Sequence, residues 1–123
     1  MFARSDTAGL AAGLGFFALV LGSWASGFFY APADANQGEV YRIIFLHVPC
    51  ALTAFGASLA LCVQCLMALK RRSEAMLTWA RATAEVGLLF TTLTLITGSV
   101  WGRPTWGVWW TWDGRLTTTL LLA

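Results

Sequence analysis

Five of the chain's seven tryptophans fall within residues 101–112, in the run Trp101-Gly-Arg-Pro-Thr-Trp106-Gly-Val-Trp109-Trp110-Thr-Trp112-Asp113-Gly-Arg115-Leu-Thr117. Indoles offer large flat apolar faces, and the guanidinium groups of Arg103 and Arg115 pair well with carboxylates. Pro104 suits the first turn of a helix, because its φ is fixed and its N–H is missing. A short helix after it would place Trp106, Trp109, Trp110 and Asp113 at i, i+3, i+4 and i+7, on one face. That face would take a flat, apolar ligand with an anionic edge. The same residue types also anchor helix ends at a membrane interface, and the residues alone leave both readings open. An interfacial belt, however, calls for neither so dense a cluster nor an acidic residue inside it. Asp113 could equally pair with Arg103 or Arg115 to fix the loop, or meet the ligand.

His47 is the only histidine, in the run Tyr41-Arg-Ile-Ile-Phe-Leu-His47-Val-Pro-Cys50. It could be a hydrogen-bonded interfacial residue, or an axial ligand to haem iron, a common role for imidazole. Cys62 and Cys65 have the spacing of a redox pair, but they lie in an apolar stretch without the helix N-terminus or cations that lower a thiol's pKa. They read as two small buried side chains, and a transmembrane thiol carrier is the weakest reading. We find no nucleotide loop, nucleophile–base pair or multi-residue metal cluster, so an enzyme is not expected. Net charge is +2 with no basic stripe, which gives no support for nucleic-acid binding.

These residues must be positioned by membrane helices. The chain is 58% hydrophobic and only 11% charged, against about a quarter charged in soluble domains. Residues 7–33 carry no charge, nor do residues 43–69. A helix crossing an about 30 Å hydrocarbon core needs about 20 residues. We therefore expect an all-α integral membrane protein, a single transmembrane domain over residues 1–123. Its spans lie near 8–30, 43–69 and 83–100. A tryptophan-rich surface segment then covers 101–117, and the start of a fourth helix, cut short, covers 116–123. Residues 8–30 read as a retained span rather than a signal peptide, because the apolar run exceeds a signal core and Arg4 is offset by Asp6. The three threonines Thr91, Thr94 and Thr97, with Thr92, read as contacts between helices. Arg4, Lys70, Arg71, Arg72 and Arg81 lie on one side of this arrangement, and Arg42, Arg103 and Arg115 on the other. Five against three puts the N-terminus and the Lys70 loop inside. His47 and the tryptophans then share the outer side, at neighbouring ends of two antiparallel spans.

Residues 106–117, Trp-Gly-Val-Trp-Trp-Thr-Trp-Asp-Gly-Arg-Leu-Thr, resemble the WWD signature of the haem-handling proteins of cytochrome c biogenesis. The ending Asp-x-Arg-Leu-Thr is similar to the cytochrome c maturation protein C (CcmC, haem exporter protein C) family, and the Tyr41–Pro49 run is a second match in the right order. The resemblance covers the whole chain but only the first half of the family pattern. It implies haem (heme) binding at the periplasmic face of the bacterial inner membrane. Delivery to the haem chaperone CcmE would follow, beside the CcmA and CcmB transporter subunits and CcmD. It makes His47 an axial iron ligand, and puts Trp106, Trp109, Trp110, Trp112 and Asp113 in the haem platform, with Trp101, Arg103 and Arg115 beside them. The family's second histidine has no counterpart here, so the sequence as it stands is expected to be impaired. The rival reading is a structural membrane subunit whose tryptophans only anchor it.

Overall fold

The computed structural model describes residues 5–123, with side chains from residue 7; Arg4, counted above for orientation, lies outside the described residues. The described part is all helix and loop. It comprises α1 (Ser5–Ala25), a π turn (Ser26–Tyr30), a 3-10 turn (Glu39–Ile43), α2 (Ile44–Arg71), α3 (Glu74–Trp106) and α4 (Gly114–Leu122). Three stretches are long and apolar enough to cross a membrane: Thr7–Tyr30, Glu39–Arg71 and Glu74–Trp106. The chain divides into two compact units, Met1–Phe45 and Leu46–Ala123.

In the first unit α1 does not run straight to Tyr30. It widens at Ser26, whose carbonyl accepts from the Ala31 N–H five residues on. The widened turn leaves the Phe28 carbonyl for the Arg42 guanidinium, which also pairs with Glu39. The loop that follows closes on Asp34. Its carboxylate accepts the N–H groups of Asn36 and Gln37, and its backbone bonds Gly38 in both directions. Gly27 is buried under Phe45, and a Cβ there would stand 2.6 Å from Phe45 Cγ. Gly27→Ala should therefore destabilise this unit by about 1–3 kcal/mol, the usual cost of overpacking. Adding Phe45→Ala should recover part of that loss in thermal unfolding of the detergent-solubilised protein. If the single change is silent, the close packing of Gly27 is not structural.

The second unit is built on α2 and α3, joined by a tight link in which Arg72 takes φ +48° and Ser73 caps α3 through the Met76 N–H. Their pairing is antiparallel: His47 meets Thr97, and ten residues further along α2, Ala57 meets Gly87. Small side chains fill the interior: Cys50, Ala54, Ala68, Ala80, Thr91, Thr94 and Thr97 are buried, whereas Leu52, Leu59, Leu66 and Leu69 are exposed. Small inside and large apolar outside is the pattern of helices packed in lipid. The threonine hydroxyls spend their protons on their own helix, Thr91 on the Gly87 carbonyl and Thr94 on Phe90.

Three expectations need correction. α3 starts at Glu74, nine residues before the expected span, and continues through Pro104 to Trp106. Its 33 residues span roughly 50 Å, well beyond an about 30 Å core. The charged residues Glu74 and Arg81 therefore ride on an extension of the helix and not in a loop. Pro104 sits in a last turn, and the stop comes at Gly107, whose φ of +81° lets its N–H close on the Arg103 carbonyl. Lastly, Cys62 and Cys65 are exposed on the surface of α2, not buried; both are free thiols.

Candidate functional site

The tryptophan segment is not one helix: Trp101 and Trp106 belong to the end of α3, and residues 107–113 are irregular. Trp106, Trp109, Trp110 and Asp113 therefore do not form one helical face. Trp106 closes α3, and its ring folds back over Gly102, where a Cβ would meet it at 3.1 Å. Arg115 stacks over Trp106 at 5.1 Å, and Arg103 lies 6.0 Å over Trp109 while donating to the Gly107 carbonyl. Trp110 and Trp112 meet edge to face, centroids 5.5 Å apart. Trp109 and Trp112 are 58% and 78% exposed, so their faces are open to lipid or to a ligand.

Asp113 fixes the far end of the segment. Its Oδ1 accepts the Leu116 N–H at 2.9 Å and caps α4, while Oδ2 accepts from Thr111 Oγ1 at 3.0 Å and from Arg115 at 3.2 Å. The Leu116 N–H, helped by the Thr111 hydroxyl and Arg115, holds the Asp113 carboxyl below the usual carboxylate range. A carboxyl lowered by folding contributes order that is present above its unfolded value, about 3.8, and is lost as pH falls through the lower folded value. Limited proteolysis between Gly107 and Gly114 should therefore stay constant down to mildly acid pH and rise only in strong acid. Asp113→Asn keeps the cap's oxygen but loses the charge, so its cleavage should lose that acid step; an unchanged step would assign it elsewhere.

His47 lies one helical level below the tryptophans. Its Nδ1 is 2.9 Å from Thr97 Oγ1, and its ring stands 5.7 Å and 64° from that of Trp101. Gly98 opens the space for it, since a Cβ there would reach His47 Cε1 at 3.1 Å. A cavity of about 240 Å³ begins at this ring. Its walls come from α2 (His47, Ala51, Phe55), α3 (Thr94, Gly98, Trp101, Trp106) and α4 (Arg115, Leu116, Thr119). Of the residues singled out from the sequence, His47, Trp101, Trp106 and Arg115 share this cavity; Arg103, Trp109, Trp110, Trp112 and Asp113 lie outside its wall. Thr94, Thr97 and Gly98 were missed as site residues. Their signal was a spacing of 94, 97, 98 and 101, one face of α3, opposite His47 and Ala51 on α2. One atom of the tryptophan segment is left unsatisfied: the Trp110 indole N–H is buried and has no acceptor. Among the described residues no three metal-ligating side chains cluster.

The family model for heme exporter protein C matches residues 3–123. Heme exporter protein C of Escherichia coli K12 is 44% identical over 99 residues, covering 80% of this chain and 40% of that protein. The Paracoccus denitrificans protein of the same name is 48% identical over 94 residues, covering 76% and 39%. A ccmC-like mitochondrial protein of cytochrome c biosynthesis from Marchantia polymorpha is 41% identical over 92 residues, covering 75% and 40%. The chain thus spans about 40% of the length of the curated relatives it matches. With the family model running over nearly all of its residues, this membrane protein belongs to the heme exporter protein C (CcmC) family.

Proposed function

We propose that this chain contributes a haem-presenting site to heme export and cytochrome c biogenesis. The observation that carries the reading is the sharing of one cavity by His47, Trp101, Trp106 and Arg115. An imidazole, two indoles and a guanidinium match the iron, the flat ring and the carboxylates of haem, respectively. At about 240 Å³ the cavity is smaller than the ~300–1,000 Å³ of pockets that enclose their ligands. A porphyrin would be gripped by part of its surface and left accessible, which suits presentation and handover. Haem, the cargo, would bring the iron, to which His47 offers a ring nitrogen. Arg115, stacked on Trp106, and Arg103 are the cations available to propionates, and Trp109 and Trp112 add exposed ring faces.

Haem titration of the detergent-solubilised chain tests this. The reading expects a Soret band that weakens when Trp101 or Trp106 becomes alanine. A chain without such a band would be the structural subunit whose tryptophans only anchor it. The same proposal places the site on the periplasmic side of the bacterial inner membrane, for delivery to the haem chaperone CcmE in a complex with CcmA, CcmB and CcmD. The bias of basic residues supports that orientation. Reporter fusions at residues 75 and 108 should read inside and outside, and neutralising Lys70, Arg71 and Arg72 together should mix the two. A periplasmic signal at residue 75 in the unaltered chain would overturn the orientation.

A further inference from the structure

The hydroxyl that links α3 to His47 has one proton and three neighbours. Thr97 Oγ1 lies 2.7 Å from the Leu93 carbonyl oxygen, 3.2 Å from that of Thr94 and 2.9 Å from His47 Nδ1. A hydroxyl carries one donor hydrogen and two acceptor lone pairs, and a carbonyl oxygen can only accept. Suppose the hydroxyl gave its proton to Nδ1. Two oxygens would then face each other at 2.7 Å with no hydrogen between them, a repulsive contact that water cannot relieve inside a membrane. With the proton on the Leu93 carbonyl, a lone pair of Thr97 turns to the ring, and Nδ1 must donate. Neutral imidazole has a single N–H, so Nε2 keeps its lone pair.

We propose that Thr97 is the positioning residue that holds His47 in its Nδ1–H tautomer, so that Nε2 is the nitrogen offered to iron. The Nδ1–Cε1 edge of the ring is pressed toward Thr97 and Gly98, as the 3.1 Å approach of Cε1 to a Cβ built on Gly98 requires. Metal-ligating histidines generally have their second nitrogen fixed in this way, which sets both tautomer and ring orientation. Among the described threonine hydroxyls of α3, Thr91 and Thr94 bond carbonyls of their own helix, whereas Thr97 also meets a side chain of α2. The role toward iron rests on the haem-presenting reading, but the tautomer does not.

The experiment separates the two. His47 is the only histidine, so the chain labelled with 15N-histidine reports a single ring. Nitrogen spectra of the haem-free protein in nanodiscs, at a pH where the ring is neutral, distinguish protonated from unprotonated nitrogens. The unaltered chain and Thr97→Ser should show hydrogen on Nδ1 and a bare Nε2. Thr97→Val and Thr97→Ala should move a substantial share of the ring to the other tautomer. With haem added, Thr97→Val should bind about 10- to 100-fold more weakly, the usual effect of losing such a partner, and Thr97→Ser should stay close to the unaltered chain. Hydrogen on Nε2 in the unaltered chain, or a Thr97→Val spectrum identical to it, overturns the proposal. If the variants do not insert, the unaltered spectrum decides alone. The expected tautomer without any Soret band would sink the haem reading and leave the tautomer assignment standing.

Discussion

Replacing His47 with alanine should leave the helices intact and cost the protein its iron ligation. The two effects separate because His47 contributes little to the fold. Its one side-chain hydrogen bond goes to Thr97, whose hydroxyl stays satisfied by the Leu93 carbonyl after the ring is gone. Hydrogen bonds between membrane helices are worth about 0.6 kcal/mol on average. The vacated volume opens into an existing cavity, so no sealed void forms. The expected result is an unchanged helical circular dichroism spectrum and detergent elution, with haem affinity lowered by more than the about 10- to 100-fold that loss of a ligand's partner costs. The residual Soret band should change shape, and free imidazole should restore part of it by entering the vacated space. A His47→Ala spectrum identical to the unaltered one would remove His47 from the iron and leave the tryptophans to be explained as anchors.

Membrane helices were legible because their signal is one-dimensional: long charge-free runs have few other uses. What was misread depended on three-dimensional competition. Residues 74–82 carry charges that a hydropathy reading assigns to a loop, yet a helix already begun at the Ser73 cap continues through them at little cost in water. Pro104 looked like a start because it forbids a helix interior, but in a last turn it forfeits one bond, and Gly107 supplies the stop two residues after Thr105. That single reassignment dissolved the helical platform of Trp106, Trp109, Trp110 and Asp113. Asp113, meanwhile, became the cap of α4.

The site itself was half legible. His47, Trp101, Trp106 and Arg115 stand out by type, and all four reach the cavity. Thr97 and Gly98 do not stand out, because their importance is relational. One gives a lone pair and the other an absence of atoms, each toward a ring on another helix. The cysteines mislead in the opposite sense. Cys62 and Cys65 share an outward face of α2, where hydrophobicity reflects lipid and not a protein interior.

Gly98→Val should reproduce much of the His47→Ala defect without touching the imidazole. A Cβ at residue 98 falls 3.1 Å from His47 Cε1 and 3.7 Å from Nδ1. An alanine there asks the ring to yield by a few tenths of an ångström, so Gly98→Ala should weaken haem binding only modestly. Valine adds two methyl groups, at least one of them directed at the ring or into the cavity that Gly98 lines. Rotation of the ring to escape would break its contact with Thr97, since both restraints act on the Nδ1–Cε1 edge. Helix α3 should not suffer, because glycine is a poorer helix former than either alanine or valine. The decisive measurement is a double-mutant cycle on haem affinity. Gly98→Val should lower affinity by an order of magnitude or more in the unaltered background and add almost nothing once His47 is alanine. Equal losses in both backgrounds would mean that the valine acts by filling the cavity and not through the histidine, and Gly98 would then be a wall of the site, with His47 indifferent to it.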